Sequence, residues 1–418
     1  MTARKTDVLV LGAGMAGVGA ALHLQARGRE VVLIDRHPGP AGETSFGNAG
    51  LIEGTTVKPT MFPREAGALF AYARNAAPEA NYHLSALPRL APFLWEFFRR
   101  SGAKGLAASS AAIQPLSKLA VAEHDPLIAA AGAEHLVHRT GWLKVYRSAA
   151  TWADARAAAE NVRKHGYVVD QLDAGEVAAM EPHLTPEPLH GALIYRDVIS
   201  VRDPGDLVKA YFDLFVARGG RLEVGDGLTL TQAGEGWSVT TVEGPIRARD
   251  VVIAMGPWSN DLFRKLGYNM PFGVKRGYHM HFRAKGNARL DHPVYDAAGG
   301  YLLAPMSRGV RLTTGVEFAD RDAPPTPVQL EITRKIAEKL FPLGEAVDAR
   351  PWMGRRPCLA DMLPVVGPAP RHKGLWFDFG HQHLGFSLGP ATGRLLAEMM
   401  TGEKPVIDPT PYRADRFS

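Results

Sequence analysis

The first chemistry in the chain is an anion site built from glycine. Gly12, Gly14 and Gly17 follow the short apolar run Val8-Leu9-Val10-Leu11 and precede good helix formers, Ala20, Ala21, Leu22 and Leu24. In that setting the first glycine permits a tight turn. The second lets the backbone at Met15 and Ala16 approach a pyrophosphate, and the third packs the helix onto the strand. Phosphates are favoured at the helix N-terminus, where unpaired N–H groups and the helix dipole point at them. Gly28 stops the helix, and a second apolar run, Val31-Val32-Leu33-Ile34, ends in Asp35 and Arg36. An acid there can accept hydrogen bonds from a ribose diol and repels a 2′-phosphate. Strand, glycine turn, helix, strand and acid in this order outweigh a ligand-free glycine turn.

Other chemistry-bearing residues lie further on. Pro38 to Gly50 is a long loop of glycine and small polar residues that can run its backbone along an extended ligand, with Thr44, Ser45, Asn48, Ala49, Gly50 and Leu51 as its contacts. Ala254-Met255-Gly256-Pro257-Trp258-Ser259 is a second glycine turn after a buried strand, and Gly380 to Pro390 is a third. His381 and His383 have the spacing of two metal ligands, but no third or fourth ligand stands at a sensible spacing, so a metal is rejected. The one cysteine, Cys358, excludes an intrachain disulfide and a cysteine cluster.

These residues must be positioned by large cores, and 418 residues suffice for about two domains. Composition is that of an ordinary soluble protein, 46% apolar and 22% charged. With a net charge of +5 and no basic run interleaved with aromatics, a nucleic-acid partner is not expected. A mildly basic surface is compatible with peripheral contact at anionic lipid. No apolar stretch reaches the length of a membrane span, about 18 residues. Arg4 and Lys5 before an apolar run imitate a signal peptide, but the glycines explain that run better. The expected location is cytoplasmic and unprocessed, with the inner face of the membrane as an alternative.

Along the chain, residues 61–135 read as mostly helical, with Phe93, Leu94, Phe97 and Phe98 packing a helical layer. Gly141–Tyr146 and Ala192–Tyr195 read as strands, and Ala153–Lys164 as a helix. Asp203 caps a helix that begins at Pro204. Arg221–Val224, Leu228–Thr231, Trp237–Thr241 and Val251–Ile253 read as short strands of a β-meander. Tyr278–Phe282, Gly300–Leu303 and Val310–Thr314 read as a separate sheet, and Val328–Leu340 as a helix. Leu375–Phe379 is an apolar strand before the third glycine turn, with a helix over Ala391–Met400.

Taken together, the sequence resembles the D-amino-acid oxidase superfamily of flavoproteins, most closely bacterial D-amino acid dehydrogenases and glycine- or sarcosine-oxidase-like enzymes. The resemblance spans nearly the whole chain. It rests on Gly12–Gly17 with Asp35, Thr44-Ser45 with Asn48-Ala49-Gly50, and Ala254–Ser259. It continues through Trp352-Met353-Gly354-Arg355-Arg356-Pro357 with Asp361 and Pro364–Gly367, and closes with Gly380–Gly385.

The resemblance implies an α/β fold: a Rossmann-like FAD-binding domain with an inserted β-meander, plus an α+β substrate domain with a mixed sheet. It implies a discontinuous FAD domain over 1–60, 202–268 and 350–412, a substrate domain over 61–201 and 269–349, and a tail at 413–418. Leu228 would offer backbone groups to the adenine, and Ala254, Gly256, Trp258 and Gly354 would line the cofactor. The Gly380, His381, His383, Leu384, Gly385 turn would aim a helix N-terminus at flavin N1 and C2=O, with one histidine beside the flavin and the other structural.

The implied reaction moves the α-hydrogen of an amino acid as hydride to flavin N5, and water hydrolyses the imino acid to a 2-oxo acid. In glycine-oxidase-like relatives the arginine of the Arg-Pro motif clamps the substrate carboxylate, which assigns that role to Arg356. Arg355 is the rival, and a structural pair with Asp361 the alternative. Tyr278 and Tyr301 lie on strands the family places at the active site, against a purely packing role. Cys358 is in the region where sarcosine-oxidase-like relatives bond their flavin, but the pattern fits non-covalent FAD and an inert cysteine. Partners are then an amino or imino acid and an acceptor that is a quinone, a carrier protein or oxygen. The function classes in play are a D-amino acid or D-hydroxyproline-type secondary-amine dehydrogenase, an oxygen-using glycine- or sarcosine-type oxidase, and a non-catalytic flavoprotein scaffold.

Overall fold

The computed structural model describes residues 4–75, 79–185 and 189–417, so the ends of the expected segments at 1–3 and 418, and residues 76–78 and 186–188, lie outside it. The first apolar run ends the strand Arg4–Leu11, and Val8 to Leu11 are all buried. The strand pairs in parallel with Val31–Asp35 on one side and Gly244–Ile253 on the other. A strand covered on both faces needs a continuous apolar run, which is why Val8–Leu11 shows no alternation. Leu375–Phe379 extends the sheet in parallel, Val365–Pro368 closes it antiparallel, and Arg221–Ala233 borders it beyond Val31–Asp35.

The meander grows out of this sheet. The two short strands expected at Arg221–Val224 and Leu228–Thr231 are one strand, Arg221–Ala233, whose register shifts between Asp226 and Thr231. Its first part stays in the parallel sheet. Its second part pairs with Gly236–Thr241, which pairs with Gly244–Ile253. The irregularity does the bending, as bulges do.

Two helices cross on one face of the sheet, Met15–Gln25 and Gly385–Thr401. They cross through glycine. A Cβ on Gly19 would stand 2.9 Å from the Gly389 carbonyl oxygen, and one on Gly393 would stand 2.6 Å from the Ala20 nitrogen. The second helix begins at Gly385, well before the expected Ala391, and carries Pro390 inside it. Proline has no N–H for the carbonyl four residues back. Buried His124 replaces it: its Nε2 donates to the Phe386 oxygen at 3.0 Å, and its Nδ1 accepts from the Tyr211 hydroxyl at 2.8 Å. Burial pushes the His124 pKa down to about 4, so the ring is neutral. The proline is thus tolerated because a distant helix, Ala103–Ala130, supplies the missing donor.

Among the described residues the second sheet has eleven strands, and the expected strands fall in Phe272–Ala284, Tyr301–Met306 and Gly309–Thr313. Trp352–Leu359, from the 350–412 segment, also belongs to it, pairing antiparallel with Phe272–Ala284. Register sets one row across the face: His279 opposite Thr313, Thr313 opposite Leu302, Leu302 opposite Tyr295, and Tyr295 opposite Lys144. Side chains alternate along a strand, so the neighbours of these residues face the other way. Tyr278 and Tyr301 are among them, packed in a core with Leu303, Leu312, Val294 and Leu143. The helical stretch contains Ala66–Ala73, Leu87–Arg100 and Ala103–Ala130, together with an unexpected strand, Ala80–Tyr82. A small third sheet holds Leu51–Glu53 against Val198–Val201.

The crossing yields a prediction. Gly393→Ala puts a methyl against backbone that cannot yield locally, so the two helices must part at a cost of about 1–3 kcal/mol. Gly67→Ala, on an open helix position with no atom within 4 Å of the new Cβ, should be neutral or slightly stabilising. Urea denaturation of both variants checks this.

Candidate active site

The two crossing helices point their N-termini into one cavity of about 1190 Å³. Gly12, Gly14, Met15 and Ala16 line one end of it. The first helix has Gly14 at its N-cap with no side-chain cap, and the Ser45 hydroxyl accepts from the Met15 N–H at 3.0 Å. Gly12 has φ +109, and a Cβ there would meet the Ala254 carbonyl oxygen at 2.4 Å. Asp35 closes the loop from the next strand: its carboxylate accepts from the Ala13 N–H at 2.8 Å and the His37 N–H at 2.9 Å. A carboxylate has further lone pairs, so Asp35 can still accept from a diol. Arg36 stacks over Trp258, 3.9 Å from the ring centroid.

The 44–51 loop forms the middle of the wall and is clamped from behind. Thr44 donates to the Arg355 carbonyl at 2.9 Å, and the Asn48 side chain accepts from the Gly50 N–H at 2.9 Å. Gly50, at φ +76, lies against the Val201 carbonyl oxygen. Ala49 and Leu51 pack on Leu302, Ala304 and Met306. Behind Asn48 runs a relay: His281 Nδ1 donates to Asp348 at 2.7 Å, its Nε2 accepts from Arg311 Nε at 3.0 Å, and Arg311 Nη1 donates to the Asn48 carbonyl. His279 adds a contact of its Nδ1 with the Gly47 carbonyl at 3.2 Å and stacks on Trp352 at 4.8 Å.

At the other end lies the 380–385 turn. Gly380 has φ +85, and Gln382 adopts φ +60 although it is not glycine. The last helix has Leu384 at its N-cap and no side-chain cap, so its first N–H groups open towards the cavity lined by Leu384 and Gly385. Both histidines line the cavity. His381 is buried and bonded by Nε2 to Thr392 at 2.9 Å, with Asp378 at 3.2 Å. His383 lines the cavity with its surface open to it; its depth in the cleft and the Arg356 and Lys275 charges push its pKa down.

Arg356 and Lys275 are paired across neighbouring strands and both line the cavity. Arg356 Nη1 donates to the Gly315 carbonyl at 2.9 Å. Lys275 rests over Phe97, 4.0 Å from the ring centroid, with Met362 sulfur at 3.7 Å. Among the described residues neither has a carboxylate partner. Asp361 is taken by Arg416 at 2.8 Å. Arg355 points to the opposite side, donating to the Arg321 carbonyl at 3.0 Å and lying near Glu43 and Asp322.

The sequence matches the family model described as FAD dependent oxidoreductase over residues 7–399. The chain belongs to this family. It is 29% identical over 420 residues to a D-amino-acid oxidase of Bradyrhizobium diazoefficiens, covering 98% of each chain. It is 30% identical over 424 residues to a D-amino acid dehydrogenase of Paramagnetospirillum magneticum, covering 98% of this chain and 99% of the other. Its fold is similar to the crystal structure of glycine oxidase from Geobacillus kaustophilus, with a TM-score of 0.76 at 22% identity and 98% coverage of both chains.

The residues present fit the family's FAD. Two uncapped helix ends open on one cavity, a glycine cradle leaves no room for a Cβ, and an acid stands at the end of the second strand. The Gln382 amide is buried in the wall, and among the described residues neither its oxygen nor its nitrogen has a hydrogen-bond partner. Such a group suits a ring edge that alternates donors and acceptors. Gly17, Gly50 and Gly380 do not reach the cavity; they shape the turns that line it.

Three of the expected site residues have partners within the protein. Tyr278 donates its hydroxyl to Glu317 at 2.8 Å and accepts from the Thr326 N–H at 2.8 Å, inside a buried network with Arg276. Tyr301 accepts from Arg147 at 3.1 Å, beside the Arg147–Asp296 ion pair at 2.5 Å. Tyr278 lines the cavity with its hydroxyl engaged in this network, and Tyr301 is not among the lining residues. Leu228 lines the cavity, but its N–H is bound by Asp226 at 2.9 Å and its carbonyl by Lys265 at 2.7 Å, so its N–H is not free for a base. Lys275, Gln382, Glu53 and Lys144 line the cavity and escaped the sequence reading. For Lys275 a signal existed: a charge inside an otherwise buried strand, in phase with Gly277 and His279. Among the described residues there is no metal-binding cluster, and no helix is long and apolar enough to cross a membrane.

His124 gives a pH prediction. Its folded pKa of about 4 lies below the ordinary 6.5, so between those values the unfolded chain takes up a proton that the folded chain refuses. Stability from this buried group is therefore full above pH 6.5 and lost as pH falls towards 4. From pH 8 to 5 the wild type should lose more stability than His124→Gln, measured by urea denaturation of the apoprotein. Equal slopes would contradict the assignment.

Proposed function

We propose that this FAD-dependent oxidoreductase oxidises the carbon–nitrogen bond of a small amino acid, of the D-amino acid dehydrogenase kind, holding its carboxylate at Arg356. The observation that carries this reading is a pair of enclosed cations, Arg356 and Lys275, that face the cavity with no carboxylate of their own. An enclosed charge without a counterion is costly unless a ligand supplies one. Burial lowers the pKa of both groups, and a bound carboxylate would offset that. A planar guanidinium suits a bidentate carboxylate, and Lys275 adds a point charge beside it.

FAD supplies the acceptor for the hydride that leaves the carbon next to nitrogen. The chain's own residues orient and polarise. The N-terminus of Gly385–Thr401 places positive potential where charge gathers on reduction. His383, neutral at pH 7, leaves the nitrogen of the substrate without a competing cation. Water then converts the imino acid to a 2-oxo acid. We take 1–60, 202–268 and 350–412 as the cofactor-holding segments, supported by the strands they give to the parallel sheet. We also take FAD as non-covalent: Cys358 is buried, and burial raises its thiol pKa, which keeps it protonated and unreactive.

Arg356→Leu should lower flavin reduction at limiting substrate by roughly a hundredfold, as two charge-assisted hydrogen bonds are lost. Arg355→Leu should be nearly normal, and neither variant should change FAD content. Stopped-flow reduction measures this, and an unimpaired Arg356→Leu would overturn the reading. Acid precipitation should release the flavin into the supernatant; colour retained in the pellet would refute the non-covalent assignment.

A further inference from the structure

Beyond the carboxylate clamp, the cavity holds a second pair of charges that the proposed reaction does not use. Glu53 ends the strand Leu51–Glu53, and Ile52 between them is buried in the sheet's helix-side core. Leu51 and Glu53 therefore share the cavity face, roughly 7 Å apart along the strand. Leu51 packs on the second sheet beside Trp142 and Tyr295. Lys144 lies in the register row on that sheet, opposite Tyr295 on one side and Leu193 on the other.

The backbone of Glu53 is fixed, its N–H donating to the Ser387 hydroxyl at 2.9 Å. Its carboxylate forms no ion pair among the described residues, and its polar neighbour is the Thr56 hydroxyl. The Lys144 ammonium lies by the ring faces of Tyr295 and Tyr146, 5.5 Å and 5.9 Å from their centroids. Enclosure raises the Glu53 pKa and lowers that of Lys144, and each charge partly offsets the other's shift. The two feel each other across a gap, yet do not close it. A direct ion pair is the ordinary outcome for two enclosed opposite charges. Here the space between them belongs to the cavity.

We propose that Glu53 and Lys144 form a side-chain selector for the substrate, matched to a neutral group that donates and accepts hydrogen bonds at once, of which a carboxamide is the simplest. This deepens the amino-acid reading and rests on it. A carboxamide gives its N–H to Glu53 and its oxygen to Lys144, between the rings of Tyr195 and Tyr295. A cationic side chain gains Glu53 but meets Lys144, and an anionic one gains Lys144 but meets Glu53. An apolar one leaves both charges desolvated and unpaired. Sites built to hydrogen-bond a ligand reject the analogue that lacks the partner, because their own polar groups are left unmet.

The test uses the FAD-loaded protein and ligands without an α-amine, which bind but cannot be oxidised. A homologous series of dicarboxylic acid monoamides, from succinamate upward, is titrated by calorimetry beside the matching dicarboxylates, ω-amino acids and simple fatty acids. At the best-fitting length the monoamide should bind about tenfold or more tighter than its three relatives. Glu53→Gln should shift preference towards the dicarboxylate, and Lys144→Met towards the ω-amino acid. Equal binding of the four classes at every length, no binding of any, or variants that weaken all four alike would each overturn the selector. A parallel anaerobic screen with amino acids tests the parent reading separately. Flavin bleaching without monoamide preference defeats the selector alone; monoamide preference without bleaching by any amino acid defeats the amino-acid reading, and with it the selector's role towards an amino-acid substrate.

Discussion

The structure depends on a close approach between two helices that only glycine permits. Met15–Gln25 and Gly385–Thr401 come from opposite ends of the sequence and meet at Gly19, Gly389 and Gly393. Side chains at those positions would force the axes apart. With them absent, both helices seat on the same sheet and direct their N-termini into one cavity. Two positive helix ends at a fixed separation make a site for an extended, multiply anionic ligand. The lost donor at Pro390 and its replacement by His124 show how firmly that geometry is kept: a buried ring from a third helix is committed to a single carbonyl.

The second sheet then adds selectivity to this cradle. Its curved face presents His279, Thr313, Leu302, Tyr295 and Lys144 in one row, with Lys275 and Arg356 beyond. Between cradle and sheet runs the 44–51 loop, held by Arg311 through Asn48 and by His279 through Gly47. Among the described residues the walls leave particular side chains unsatisfied: Arg356 and Lys275 without a carboxylate, Glu53 and Lys144 without a direct ion pair, and the Gln382 amide without a hydrogen bond. Buried polar groups are normally paired. Where several unpaired ones converge on one cavity, the missing partners describe the ligands.

Much of the cradle was legible in the sequence because its elements are local. Val8–Leu11, the three glycines and Asp35 lie within one strand–helix–strand unit, and each has a direct steric or electrostatic reason. The strands of the second sheet were legible too, from their apolar runs. Their phase was not. Strand membership alone does not say which face Tyr278 and Tyr301 take, since a shift of one residue turns a side chain to the other face. Lys144 and Glu53 were hidden for another reason: they come together only through pairings between distant strands, which no local pattern records. The last helix began earlier than expected because a proline was read as a boundary, and its compensating partner lies far away in the chain. The meander's long strand was read as two because its register shift looks like a turn.

The central claim is that the two helix ends hold the cofactor and the unpaired cations beside it hold the substrate carboxylate. A crystal structure of the protein with FAD and an amino-acid analogue that cannot be oxidised tests this most directly. The account predicts the pyrophosphate at the N–H groups after Gly14, the flavin pyrimidine at Gly385 and Gln382, and the analogue's carboxylate on Arg356 with Lys275 beside it. A carboxylate bound elsewhere, with Arg356 still turned to the Gly315 carbonyl, would contradict it.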